Sequence, residues 1–554
     1  MFNSPTMISR RRFLQSSAAA SAAVAGFPHL ARSADALHAI PGQKPRHIIQ
    51  LVADGMSMGT LTLADAFSHR TRKRGLTWFE LYKNPAAVPA LMNMRSLNSL
   101  VTDSAAAASS WGSGSRVVNG VINQLPNKKN LKTLYELFAD IGWKRGLVTT
   151  TEITHATPAG FAANVDNRDT GTTIATQYLQ RKIDVLLGGG RNFFDPAKRK
   201  DKRNLKKDFL AAGYTVMETL DELKAAPDDK RWLGTFAASH LPYTIDHLAN
   251  PRLVARVPTL AVMTRAALDW LQKENHFILQ VEGGLVDHAC HNSDAAAALR
   301  DMIAFDEALE VCVEFQKKNP DTLITITTDH GTGNMALNGT GNLYADSSKF
   351  FSSVAGVKCS FPEILKRLKK KTDADDPGAD KLDADEGGFA AQQAAKGDES
   401  DEPAPPPKPP APKPGEPAKP KEYIPNFKEV MQIIPELTGY KVSQRRAEWL
   451  IPFLEKKGHT IYEIMNNDMT QLGQLLGNHL GIGWTGNAHT ADYVPLLTLG
   501  PGAELFRGFV ENVDVFHHYT ALAGIDFKNP TAPLTAQGGP EAGAVENVEA
   551  YKLA

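Results

Sequence analysis

Cysteine is scarce in this chain. Its 554 residues hold three, Cys290, Cys312 and Cys359, and none stands in a CxxC pair. That excludes a disulfide framework. A charge excess of either sign is also missing, because 61 Lys and Arg offset 61 Asp and Glu. A nucleic-acid-binding or basic membrane-surface protein is not indicated. No stretch is long and apolar enough to span a bilayer, and no internal repeat is visible. What remains is a globular composition, 42% hydrophobic and 22% charged. The length accommodates one large α/β domain with insertions, or several domains.

The amino end reads as an address rather than as fold. Ser9-Arg10-Arg11-Arg12-Phe13-Leu14-Gln15 matches the twin-arginine pattern, an Ala/Ser/Val run follows from Ser16 to Phe27, and Ala34-Asp35-Ala36 is an A-x-A cleavage site. Residues 1–36 are expected to be a twin-arginine signal peptide, with the mature chain periplasmic or extracellular. From Lys369 to Glu422 the chain turns acidic and then proline-rich, with ten prolines between Pro403 and Pro420. Such a segment cannot bury a core and is expected to be a disordered insertion. It divides a globular domain into 45–368 and 423–528, the second part carrying a helical insertion. Residues 529–554 read as a loose tail.

Between these segments short buried strands alternate with helices. Strands are expected at His47–Ala53, Gly146–Thr151, Ile183–Leu187, Tyr214–Met217, Phe277–Val281, Leu323–Thr328 and Val494–Leu499. Helices are expected at 131–141, 259–273, 293–317, 445–455 and 516–523. Leu299, Met302, Phe305, Leu309 and Cys312 would line one face of the third of these. The alternation predicts an α/β three-layer sandwich, a mostly parallel central sheet with helices on both faces.

Three of the strands end directly in an acid: Asp54, Glu282 and Asp329. One such case is ordinary turn chemistry. Three on one topological edge point to a shared site, since open α/β sheets bind ligands at the carboxyl ends of their strands. Asp287 and His291 stand one helical turn apart, Asp329-His330 is a second oxygen/nitrogen pair, and His489 lies in a glycine-rich loop. These donors suit a two-metal site. Asp103 and Ser104 precede an alanine run and should start a helix. Capping explains them, and a helix start also favours phosphate.

Six blocks in order resemble the alkaline phosphatase family: V-A-D-G-M at Asp54, V-T-D-S-A-A at Ser104, H-A-T-P-A at His155, Q-V-E-G-G-L-V-D-H-A-C-H from Gln280, T-T-D-H-G at Asp329 and W-T-G-N-A-H-T from Trp484. The resemblance implies hydrolysis of phosphate monoesters through a phosphoserine at Ser104. It implies two Zn2+ and one Mg2+. Asp287, His291 and His489 would hold one zinc. Asp54, Asp329 and His330 would hold the other, and Asp54, Thr157 and Glu282 the magnesium. Arg168, eleven residues after Thr157, would clamp phosphate. His155 stands where members carry Asp or His, and His288 where some carry Lys near the phosphate. A homodimer is favoured on the same ground. The alternatives are a phosphodiesterase or sulfatase of the same superfamily, or a non-catalytic phosphate- or metal-binding protein. No C-x-P-x-R sulfatase motif is present.

Overall fold

The computed structural model describes residues 44–339, 344–369 and 423–535. The expected signal peptide, nearly all of the acidic and proline-rich insertion, and the tail beyond residue 535 lie outside the described residues. The first residues of the expected tail are tied to the body: Asn529 donates to the carbonyls of Ser113 and Lys132, and Thr535 N to Leu97 O. Among the described residues no helix is long and apolar enough to cross a membrane.

Ten strands form one sheet: β1 (His47–Val52), β2 (Val88–Asn93), β3 (Lys144–Glu152), β4 (Val185–Gly189), β5 (Tyr214–Met217), β6 (Arg231–Thr235), β7 (Phe277–Glu282), β8 (Thr322–Thr327), β9 (Val494–Leu499) and β10 (Gly508–Glu511). Their order is β10-β2-β9-β8-β1-β7-β3-β4-β6-β5. Every pairing is parallel except those of β9, which runs antiparallel to β2 and β8. The central strands β1, β7 and β8 are buried at every position, as a sheet covered on both faces requires.

Alternation along the strands separates the two faces. Ile324 and Ile326 join Ile49 and Leu51 in a core with Leu299, Met302, Phe305 and Leu309 of the long helix Ala295–Lys318. Thr325, between them, points the other way and bonds the Tyr519 hydroxyl of helix Asn512–Ala523. On that second face helix α1 (Ser104–Ser113) packs against helix α2 (Ala156–Ala162). The fit is backbone to backbone: a Cβ on Gly112 would lie 1.9 Å from Gly160 O, and one on Gly160 would lie 2.5 Å from Ala108 Cβ. The alanine run therefore serves close packing as well as helix propensity.

The expected fold class holds, and the expected strands are present. Strands β2, β6 and β10 were not anticipated. The first contains Pro89 and is half exposed, the second opens with Arg231 and carries Gly234, and the third has four residues. None presents the apolar run or clean alternation that marks a strand. His489-Thr490, expected as loop, pairs with Gly331-Thr332 as a short antiparallel ladder.

Candidate active site

Register sets the height of the site. Val52 lies opposite both Glu282 and Thr327. Asp54 and Asp329 each follow by two residues, so three carboxylates meet at one edge. Strand β9, being antiparallel, has its start at that edge, and His489 precedes that start by five residues. Strand β2 also ends there, and the chain then leads to α1.

The Asp-Gly-Met turn after β1 is shaped by its neighbours. Gly55 has φ +68° and donates from its N–H to Asp329 Oδ1 at 3.1 Å. A Cβ at this position would lie 2.3 Å from Asp287 Oδ1. Glycine is thus required twice over, by backbone conformation and by space.

Ser104 opens α1. Asp103 caps the helix, its Oδ1 accepting from Ala106 N at 2.8 Å, while Oδ2 accepts from Gly120 N and from Arg168 Nη1 at 3.0 Å. Capping and anchoring of the arginine share one carboxylate. Ser104 is buried, and its Oγ lies 3.1 Å from His330 Nε2. Arg168 Nη2 reaches His155 Nε2 at 3.3 Å.

All thirteen residues singled out from the sequence fall into one connected constellation. Asp54 receives the Thr157 hydroxyl at 3.3 Å and faces His330 Nε2 at 3.7 Å. His330 Nε2 is 3.1 Å from Asp329 Oδ2. His155 Nδ1 is 3.7 Å from Glu282 Oε1, and its ring stands perpendicular to that of His288, 5.7 Å away. Asp287 Oδ2 is 3.3 Å from His291 Nε2, and the rings of His330 and His489 stack at 3.6 Å.

Three groups of donors cluster closely enough to hold a metal ion: Asp287, His330 and His489; Asp54, Asp329 and His330; and Asp54, His155 and Glu282. The second is the expected set; the first holds His330 where His291 was expected, and the third holds His155 where Thr157 was expected. The hydrogen bonds explain why cations fit. His291 Nδ1 donates to Asn487 O and His489 Nδ1 to Thr102 O. Both Nε2 atoms then carry lone pairs, yet they stand 3.0 Å apart. Only a shared cation or proton makes that favourable, and orienting carbonyls behind the histidines is how proteins present imidazole to metals. Among the described residues, Asp54 Oδ1 and Glu282 Oε1 are buried without a hydrogen-bond donor.

Electrostatics agree. Burial, and then the carboxylates of Asp329, Asp287 and Glu282, push Asp54 well above the usual carboxylate range. Burial would also raise Asp287, but His291, His489 and His330 outweigh it and hold Asp287 well below that range. Burial lowers His330 less than Asp329 and Asp287 raise it. Four buried carboxylates this close need counter-charge that the imidazoles of His155, His291, His330 and His489 supply incompletely.

Sequence reasoning missed several contributors. Thr149 and Thr151 project from the same side of β3 and both donate to Glu282 Oε2, at 2.5 and 3.2 Å. Thr332 donates to Asp287 Oδ1 at 2.5 Å. The threonine run at the end of β3 was a visible signal, because residues two apart in a strand share a face. His240 follows β6 to the same edge, and its ring is perpendicular to that of His288 at 4.5 Å. With β6 unrecognised, nothing in the sequence placed it there.

Comparison with known proteins gives one answer. A family model described as alkaline phosphatase matches residues 45–404. Alkaline phosphatase 4 of Bacillus subtilis is 30% identical over 426 residues, 75% of each chain. The streptomycin-6-phosphate phosphatase of Streptomyces griseus is 32% identical over 52% of this chain and 73% of its own. The crystal structure of Thermus thermophilus alkaline phosphatase superposes with a TM-score of 0.75 at 30% identity, covering 91% of this chain and 97% of its own. Similarity at this level, in a chain whose sheet edge gathers carboxylates, histidines and a serine at a helix start, makes the chain a member of the alkaline phosphatase family and hence a phosphoric monoester hydrolase.

Proposed function

We propose that Ser104 is the nucleophile, and that hydrolysis proceeds through a phosphoserine. The observation that carries this reading is the position of Ser104 Oγ, 3.1 Å from His330 Nε2 at the start of a buried helix. One zinc would be held by Asp287, His291 and His489, the other by Asp54, Asp329 and His330, and a magnesium by Asp54, Thr157 and Glu282. When bound, these ions neutralise developing charge and lower the pKa of the serine hydroxyl and of attacking water.

Ser104 Oγ attacks phosphorus in line with the ester oxygen. The P–O bond to the alcohol breaks, and its electron pair leaves with that oxygen. Water then attacks the phosphoserine from the vacated side, inorganic phosphate is released and Ser104 regains its proton. The α1 N-terminus favours the phosphate through its dipole. Arg168, braced by Asp103, presents a planar fork to two phosphoryl oxygens. His155, which touches Arg168, and His288, against the His155 ring, would help to orient the phosphate. Positioning and charge neutralisation carry most of phosphoryl transfer.

The purified enzyme should hydrolyse p-nitrophenyl phosphate faster than bis(p-nitrophenyl) phosphate. The reverse preference would favour a phosphodiesterase. Ser104→Ala should abolish turnover and the covalent phosphoenzyme while retaining affinity for inorganic phosphate. We further propose that residues 1–36 direct twin-arginine export to the periplasm or beyond, and that the mature chain is a homodimer. Blocked export by an Arg10→Lys/Arg11→Lys/Arg12→Lys variant and sedimentation of the mature enzyme test these two readings.

A further inference from the structure

His240 belongs to no donor group described above and has no part in the mechanism just given. It is nevertheless built into the site's wall. Ser239 and His240 follow β6, and Gly190 N and Leu241 N tie this segment to β4 and β3 through Ser239 O and Thr150 O. Ser239 Oγ donates to Glu152 Oε1 at 2.5 Å. His240 is itself buried, and its Nδ1 accepts the Glu152 main-chain N–H at 3.2 Å. A nitrogen that accepts a backbone N–H carries no proton. The ring is therefore neutral, with its single proton on Nε2.

That ring packs against both imidazoles that border the phosphate pocket. It is perpendicular to His288 at 4.5 Å and to His155 at 5.9 Å, and His288 and His155 are perpendicular to each other at 5.7 Å. Three mutually perpendicular rings leave each little freedom to rotate.

We propose that His240 is a positioning residue for phosphate binding: held by the Glu152 amide, its ring packs edge-to-face on His288 and fixes the orientation in which His288 meets the phosphate. This rests on the reading of the site given under Proposed function. A merely space-filling histidine would pack equally well in either tautomer, so two substitutions separate the roles. His240→Asn keeps an acceptor where Nδ1 stands and loses Nε2. His240→Gln keeps an N–H donor near the position of Nε2.

Wild-type holoenzyme and Ser104→Ala are measured first with p-nitrophenyl phosphate. Absence of wild-type hydrolysis, or its survival in Ser104→Ala, sinks the reading of the site itself. With that reading standing, affinity for inorganic phosphate is measured by calorimetry and by product inhibition. His240→Asn should weaken it about fivefold, the scale of one lost edge-to-face ring contact, while His240→Gln stays within about twofold of wild type. In a His288→Ala background, His240→Asn should change affinity by less than about twofold, because its effect passes through His288. Equal loss in the Asn and Gln variants, no loss in the Asn variant, or an undiminished loss in the His288→Ala background would each overturn the proposal. Circular dichroism and thermal melting confirm that each variant is folded. A His240→Asn variant that melts far below wild type, with the Gln variant equally destabilised, shows a structural role and also overturns it.

Discussion

Asp103 shows how much one side chain carries in this enzyme. Its two oxygens cap α1 and hold Arg168, so stability and recognition can be separated by substitution. Asn is as good an N-cap as Asp but cannot form the ion pair, whereas Ala does neither. Asp103→Asn should melt near wild type, and Asp103→Ala should lose about 1 kcal/mol in a denaturant titration. Arg168→Lys keeps the charge but cannot meet Asp103 and two phosphoryl oxygens at once. The KM for p-nitrophenyl phosphate should rise on the order of tenfold, with kcat changed less; an unchanged KM would remove Arg168 from phosphate binding. The residues of this layer were legible in the sequence because their chemistry is written in short blocks. Some that support them were not: Thr332 and His240 belong to side-chain types that are common on any surface. Only the register of the sheet tells which of them turn inward.

Elements are joined by buried carboxylates as well as by apolar packing. Asp301, on the long helix Ala295–Lys318, accepts from Thr244 N and Thr244 Oγ1 at the start of helix Thr244–Ala249. Asp294 caps the long helix through Ala297 N and also accepts from Phe361 N. Burial raises Asp301 to about 7 and Asp294 to about 6, from ordinary values near 3.8. The native state therefore holds protons that the unfolded chain has released between pH 4 and 7. Stability from these groups is complete below pH 4 and is lost as pH rises through about 7. Asp301→Asn removes the titration, so its stability relative to wild type should improve from pH 5 to pH 8, by on the order of 2–4 kcal/mol. Urea titrations at the two pH values check this, and a pH-independent difference would count against it. The long helix itself was readable from its apolar period, whereas these cross-links were not. An Asp in a helical sequence looks solvated until the fold buries it.

At the scale of the molecule, the one antiparallel strand makes the site closable. A parallel β9 would bring its far end to the active edge and leave His489 at the opposite one. Reversed, it brings His489 to that edge from a loop 159 residues beyond His330, past an insertion whose composition breaks every fold signal. Nothing in the sequence states this direction; it emerges only from the pairing of Leu497 with Ile326. The family blocks allowed His489 to be assigned, but the geometry that brings it there was not readable. Deleting residues 370–422 should accordingly leave kcat/KM within about twofold, since all ten strands of the described sheet lie outside that range. The loop Trp484–Thr490 is held to the body by a short ladder, by His489 Nδ1 to Thr102 O, and by His291 Nδ1 to Asn487 O. What should lock it is cation binding across Asp287, His291 and His489, together with relief of carboxylate repulsion at Asp54. Any ligand that binds only the native state raises its stability by mass action. EDTA treatment should therefore abolish hydrolysis, lower the melting temperature and open Trp484–Thr490 to proteolysis ahead of the β1–β7–β8 core. Zinc with magnesium should reverse all three. An enzyme that loses activity with its melting temperature and cleavage pattern unchanged would show that the loop is held by protein contacts alone.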